Sequence, residues 1–278
     1  MQPRALQTGS DSAFHRVAPP SPGREFASGG PWRLVDLVGD GGSAQVWRAI
    51  DDAGRSVALK ILRAAPTHSA ASSARLEREH SLLAALAHDH VVATFGLVAQ
   101  SGNPALALEY LPGGDLVSLA GAHPRHWIEA VRAVHAALAH LHARGFVHRD
   151  VKARNVLFGA DGRARLIDFA SVLPRGAVRP RGGTTAAHSA PGREDAAVEP
   201  CDDAHALAVL IYELLAGRLP YGVGGYASVT PGAAWPLAAE ADSPAATLAR
   251  RVLEVLGTRE ARLSAFEDVL ESVALAYR

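Results

Sequence analysis

From Trp32 onward the apolar and polar positions follow two different periods, one early in the chain and one late. In the early part, "WRLVDLVGDGGSAQVWRAI" predicts two strands around a glycine-rich turn, and "SVALKIL" (56–62) predicts a third. Alternation in that third strand puts Val57, Leu59 and Ile61 on one face and Ala58 and Lys60 on the other. A helix is predicted over about 72–87, with Leu76, Glu79, Leu83 and Leu86 on one stripe while Glu77 and Arg78 point away. A carboxylate inside an apolar stripe requires a cationic partner, which singles out Glu79. "ALALEYLPGGDL" predicts a strand running into a turn at Pro112-Gly113-Gly114. The late part is helical. Trp127, Val131, Val134, Leu138 and Leu141 form one face of a long helix ending near Gly145, and residues 203–216 are apolar all round, as in a helix buried in a core. Ser243-Pro244 reads as an N-cap with proline at the first helical position, and Ser264 with Glu267 as a capping box opening the last helix. A strand-rich front followed by a larger helical part is an α+β chain with two lobes.

Composition narrows the function classes. The 278 residues are 48% apolar with a formal net charge of +0 and a pI near 7.3, as expected of a soluble globular protein and not of a general nucleic-acid binder. A single cysteine, Cys201, forms no internal disulfide and suggests a reducing compartment. Residues 1–30, rich in Pro, Ser, Gly, Gln and Arg, read as a disordered tail without the apolar core of a signal peptide. The most apolar stretch, "ALAVLIY" (206–212), is too short to span a bilayer, so the expectation is a cytoplasmic protein with no membrane partner. His135, His140 and His142 share a helix but present no i, i+4 pair for a metal.

The chemistry concentrates in "FVHRDVKARNVLF" (146–158), where His, Arg, Asp, Lys, Arg and Asn interrupt an apolar run. Either this is a solvated loop or each polar group has a partner in a preorganised site. Downstream, "LIDFAS" sets Asp168 among apolar neighbours. In "VGDGGSAQV", Gly39, Gly41 and Gly42 let backbone amides approach phosphate oxygens, although a tight hairpin needing positive φ would use the same residues. Lys60 shares its strand face with the small Ala58, leaving room for a flat ligand beside a cation.

The ordered series of glycine-rich loop, "VALK", Glu79, "LEYLPGGDL", "HRDVKARN", "IDFA", "SAPG", Asp203 and Arg262 resembles the protein-kinase superfamily, and the bacterial eukaryotic-like (Hanks-type) serine/threonine kinases in particular. The resemblance covers residues 32 to about 275. It implies a bilobal kinase-like fold over 31–276, a small β-rich N-lobe (about 31–111) and a larger helical C-lobe (about 112–276). It further implies transfer of the γ-phosphate of ATP, with Mg²⁺ or Mn²⁺, to Ser or Thr hydroxyls of a protein substrate.

Residue by residue, Lys60 is similar to the lysine that holds the α/β-phosphates and Glu79 to the glutamate that orients it. The loop residues Val38, Gly39, Asp40, Gly41, Gly42, Ser43 and Ala44 would cover the phosphates. Leu108 resembles the gatekeeper, and the backbone of Glu109 and Leu111 would meet the adenine edge. Asp115 would reach the ribose, while Val46, Ala58 and Leu157 would sandwich the ring. Asp150 resembles the catalytic aspartate, Lys152 the lysine that neutralises the transferring phosphoryl, and Asn155 and Asp168 the Mg²⁺ ligands. Lys152, two residues after Asp150, is similar to serine/threonine rather than tyrosine kinases. The competing reading is a pseudokinase that binds nucleotide as a scaffold.

Departures from the pattern are Ala44 for the third loop glycine, Ala170 in "DFA", Gly192 in "APG" and Ala208 in the core helix. Glu194 is therefore expected to replace the missing glutamate and reach Arg262. Arg149 resembles the arginine that grips an activation-loop phosphate. Yet 172–183 holds no Ser, Thr or Tyr. Of the remaining hydroxyls Ser171 is too near the metal, Thr184, Thr185 and Ser189 lie near the end, and Thr185 resembles the one that contacts the catalytic residues. The expectation is a kinase either active without loop phosphorylation or switched at Thr184 alone. Arg175, Arg179 and Arg181 are expected to favour acidic residues around the target hydroxyl.

Overall fold

A computed structural model describes residues 25–27, 31–41, 44–50, 53–63, 70–100, 103–180, 188–189, 195–220, 252, 263 and 266–277. Gly42, Ser43, Arg181, Thr184, Thr185, Gly192, Glu194, Ser243, Pro244, Arg262, Ser264 and 221–240 lie outside the described residues, so the expectations placed on them lie there too. The chain divides into two compact units, one of residues 1–76 with 97–107 and one of residues 77–96 with 108–278. The α+β expectation holds: strands dominate the first unit and helices the second.

The sheet runs in the order β1 (Glu25–Ala27), β2 (Pro31–Asp40), β3 (Ala44–Ile50), β4 (Ser56–Leu62), β6 (Asn103–Glu109), β5 (Thr94–Gln100). β1 through β4 pair antiparallel with their sequence neighbours. β1 falls inside the stretch that the sequence assigns to a tail; Phe26 pairs with Trp32. One face of the β3–β4 ribbon is core: Trp47, Ala49, Val57, Leu59 and Ile61 are buried with Leu34 of β2 and Val98, Ala105 and Ala107 of β5 and β6. The period-2 pattern produces this, because a strand sends alternate side chains to opposite faces.

Helix α1 (Ala70–Ala85) keeps the expected stripe, with Leu76, Glu79 and Leu83 buried, Leu86 buried just past its end, and Glu77 and Arg78 exposed. It starts and stops two residues before the predicted bounds, the usual uncertainty of helix ends. Helix α2 (Ile128–Ala143) buries Val131, Val134, Leu138 and Leu141, and ends at Gly145, whose φ of 78° suits a residue without Cβ. Helix α3 (Pro200–Ala216) is buried nearly throughout and starts three residues earlier than its apolar pattern. Glu199 and Asp202 cap it reciprocally and Pro200 opens its first turn, a glutamate-led cap that the usual serine or threonine signature does not reveal. The last helix is α4 (Phe266–Ala276). Around α2 and α3 lie short strands: β7 (Phe146–Val147) pairs with β10 (Leu173–Pro174), and β8 (Val156–Phe158) with β9 (Ala164–Leu166).

Candidate functional site

In the strand unit, register builds one row of expected nucleotide residues. Gly39 of β2 stands opposite Val46 of β3, and Val46 opposite Lys60 of β4. Directly opposed residues of an antiparallel pair share a face, and Ala58 joins it two residues before Lys60. A Cβ on Gly39 would lie 3.3 Å from Val46 Cβ, so glycine lets the strands close over this row. Beyond it, Gly41 N–H donates to Ala44 carbonyl at 3.0 Å, closing the turn of which Gly42 and Ser43 are not described. Arg63 grips the turn from beside β4, donating to Gly41 carbonyl at 2.8 Å and pairing with Asp40. No sequence pattern pointed to Arg63. Val38 is largely exposed, and Ala44 is buried.

In the helical unit, "HRDVKARN" folds around one carboxylate. Asp150 is 7% exposed, and its Oδ2 accepts from Lys152 Nζ at 2.7 Å and from Asn155 Nδ2 at 2.9 Å. Asn155 Nδ2 also donates to Asp150 carbonyl at 2.8 Å. Both hydrogens of that amide are thus spent on Asp150, which leaves Oδ1 as the Asn155 atom suited to a cation. Ile167 N–H, one residue before Asp168, donates to Asn155 carbonyl at 2.9 Å, so the hairpin brings the two expected metal residues into one neighbourhood. An amide oxygen and a carboxylate are hard donors that fit Mg²⁺, which takes few protein ligands and keeps places for phosphate and water.

The backbone is held from beneath by Asp203 in the first turn of α3, fully buried. Its Oδ2 accepts from His148 N–H at 2.8 Å and its Oδ1 from Arg149 N–H at 2.7 Å. His142 Nε2 lies 2.8 Å from the same Oδ2. His142 carries no functional signal in the sequence, where it reads as one of three helix histidines. Those three go separate ways: His135 stacks on Phe266 and lies 3.0 Å from Leu263 carbonyl, and His140 packs on His88. His148 Nδ1 accepts from Asp150 N–H at 3.3 Å, so its Nε2 carries the hydrogen that reaches Ile167 carbonyl at 3.2 Å. Burial pushes the His148 imidazole below its ordinary value, against the opposing pull of Asp203, Asp150 and Asp168, which keeps this connector neutral.

Two non-glycine residues have positive φ among the described residues, Arg149 at 70° and Asp168 at 63°. Both sit at the expected chemistry, where such strain concentrates. Ala170 belongs to a single 3₁₀ turn, Phe169–Ser171, so the left-handed residue is Asp168 and not Ala170. Phe169 is fully buried, edge-on to His148 with ring centroids 5.2 Å apart.

Glu79 is 2% exposed on α1 in this unit, and Lys60 is half-buried in the other. Glu109 N–H donates to Ala93 carbonyl at 2.9 Å, while its carboxylate pairs with Arg165 at 3.0 Å. Leu108 and Leu111 are buried. Asp115 and Leu157 meet in an isolated antiparallel bridge, so the residues expected at ribose and ring stand side by side. Gly113 enables this: a Cβ there would fall 2.6 Å from Phe158 Cβ. One expectation needs correcting. Arg175 and Arg179 do not project as free cations; Arg175 Nε bonds Glu199 at 2.8 Å and Arg179 Nη2 bonds Asp202 at 2.6 Å. Both are paired with acids at the start of α3.

Known proteins resemble this chain in sequence. The chain is 34% identical over 197 residues to the serine/threonine-protein kinase PknL of Mycobacterium bovis, covering 66% of this chain and 49% of that protein. It is 34% identical over 217 residues to the DNA damage-responsive serine/threonine-protein kinase RqkA of Deinococcus radiodurans, covering 73% and 32%. A third relative, the CBL-interacting protein kinase 4 of Oryza sativa, is 34% identical over 207 residues, covering 69% and 46%. The matches thus span half or less of those relatives' lengths. Among the described residues, no helix is long and apolar enough to cross a membrane. Members of the protein kinase family use ATP and Mg²⁺. Residues 32–270 match the protein kinase domain, and the chain belongs to that family.

Proposed function

We propose that this chain, over residues 31–276, transfers the γ-phosphoryl group of ATP to Ser or Thr hydroxyls of a protein substrate, with the residues before β1 a tail outside that activity. The carrying observation is the Asp150 carboxylate, buried and held by Lys152 and Asn155 on a backbone that Asp203 fixes. Asp150 orients the attacking hydroxyl and accepts its proton, and Lys152 neutralises charge on the transferring phosphoryl. Lys60 draws the α/β-phosphates and Glu79 orients it. Val38, Gly39, Asp40, Gly41, Gly42, Ser43 and Ala44 cover the phosphates with backbone amides. Val46, Ala58 and Leu157 enclose the adenine ring. Glu109 N–H is committed to Ala93, which leaves its carbonyl for the adenine edge beside Leu111 N–H, and Asp115 reaches the ribose. Mg²⁺, or Mn²⁺, when held by Asn155 and Asp168, supplies charge neutralisation at the β/γ-phosphate oxygens. A cytoplasmic setting without nucleic-acid or membrane partners belongs to the same proposal.

Lys60, Asp150, Asn155 and Asp168 are all present, so no observation favours the pseudokinase alternative. Incubation with γ-labelled ATP and Mg²⁺ tests the proposal, wild type beside Asp168→Asn. Label on protein Ser or Thr in the first and not the second is the expected result. Equal label in both, or none in either, overturns it.

A further inference from the structure

Residues 172–180 (VLPRGAVRP) carry no hydroxyl, yet they are fastened along their length. Leu173 and Pro174 pair with β7, Arg175 N–H donates to Gly145 carbonyl at 2.8 Å, and Gly176 N–H to Val198 carbonyl at 2.7 Å. Val198 N–H returns a bond to Ala177 carbonyl at 3.0 Å. The segment then ends on an ion pair. Arg179 Nη2 donates to Asp202 Oδ2 at 2.6 Å and its Nε to Ala196 carbonyl at 3.3 Å; the two side chains are 14% and 8% exposed. Asp202 Oδ2 also accepts from Glu199 N–H at 3.0 Å, so the same carboxylate caps α3. The next residue, Asp203, holds the backbone of His148 and Arg149.

A second observation concerns Arg149, which adjoins Asp150. Its guanidinium is buried, with Nη1 on Ser171 carbonyl at 3.2 Å, while Nε and Nη2 have no hydrogen-bond partner among the described residues. A buried cation requires a counter-charge nearby. The carboxylates acting on it are Asp202 and Asp203, and the cations opposing them are Arg179 and Arg78, the latter donating to Val172 carbonyl at 2.6 Å. Asp202, the acid that pairs with Arg179, is thus encoded in α3; toward Arg149 the attraction of Asp202 and Asp203 is outweighed by burial and by Arg179.

We propose that Asp202 is a permanent counter-anion and that Arg179 and Asp202 are a positioning pair, holding the segment after Asp168 against α3 and the catalytic loop without phosphate. This rests on the kinase reading and sharpens it: activity requires no phosphate on Thr184, Thr185 or Ser189.

The test uses the full chain, treated with phosphatase and checked by mass spectrometry. Dephosphorylated wild type keeps its kcat within about twofold, while Arg179→Gln and Asp202→Asn each lower kcat about tenfold or more with ATP affinity unchanged. The double variant is no slower than Asp202→Asn alone, because that substitution already removes the pair, and Arg179→Lys recovers part of the loss of Arg179→Gln. Arg179→Gln leaves the Asp202 cap on Glu199 intact, so it serves if Asp202→Asn fails to fold. Loss of activity on dephosphorylation, or undiminished kcat in both single variants, overturns the proposal. Trypsin cleavage after Arg175 gives a reading that does not need phosphoryl transfer: it quickens about tenfold in Arg179→Gln if the pair holds the segment. An unchanged cleavage rate rejects the pair even in a chain that transfers no phosphate, whereas absent transfer with quickened cleavage rejects only the kinase reading.

Discussion

The row Gly39–Val46–Lys60 and the loop around Asp150 place site residues by opposite means. In the row, three strands in register put side chains on a common face, and any residue tolerated by the pleat keeps its place. In the loop, little is periodic. Lys152 and Asn155 converge on Asp150 because the backbone turns through a left-handed Arg149, and that turn persists because Asp203 occupies its amides. Regular structure spreads responsibility for a site over many weak pairings, whereas irregular structure concentrates it in a few buried hydrogen bonds. The two regions should therefore respond very differently to single substitutions.

The largest effect is expected at Asp203. Asp203→Ala leaves two buried amides and His142 without their acceptor, at a cost of about 3–5 kcal/mol. Urea unfolding at neutral pH measures it, and kcat should fall with it; a variant as stable as wild type would show that the loop holds itself. Breaking the row should cost less. Gly39→Val forces β2 and β3 apart at Val46 and should weaken ATP binding about tenfold, or about 1.4 kcal/mol, in a titration. Unchanged affinity would mean that the row does not meet the nucleotide.

How far each region could be read from the residues follows the same divide. Alternation in "SVALKIL" located Lys60 beside Ala58, and the stripe in α1 located buried Glu79. Cross-strand register then only had to align what the period had already sorted. Asp150, Lys152, Asn155 and Asp168 were found by their spacing as a motif, not by a period. What held them stayed hidden, because His142, Arg63 and Asp202 act through contacts between segments far apart in the chain. A spacing pattern carries no information on such contacts: His142 and Asp203 are separated by 61 positions. For Arg175 and Arg179 the sequence shows the charge but not the acids that pair with it.

A smaller effect is expected at Ala170. The left-handed residue is Asp168, and Ala170 lies in a regular 3₁₀ turn, so Ala170→Gly adds about 1 kcal/mol of backbone freedom and should change activity less than about tenfold. A collapse of activity would make the methyl part of the mechanism. The smallest effect is a pH dependence of stability. Burial holds His88, His135, His140 and His148 below the ordinary value of 6.5, and at His88 the neighbouring His140 and His90 add to it. The unfolded chain then takes up protons before the folded one, so stability present above about pH 6.5 declines as pH falls through it. Thermal melting should drop by a few degrees between about pH 7.5 and about pH 5.5, and His88→Gln should flatten part of that slope. A melting temperature that rises on acidification would reverse the assignment.

The bonds from His148 and Arg149 to Asp203 also give the catalytic loop an internal clock. Backbone amides in loops usually exchange their hydrogens with solvent through small local openings. These two are capped by a fully buried carboxylate on the central helix, so solvent reaches them only when α3 itself comes away. Their exchange should be as slow as that of the helix core, while amides a few residues along the chain turn over quickly. The deuterium uptake of two adjacent amides then reports the integrity of the whole helical unit from within its reactive loop.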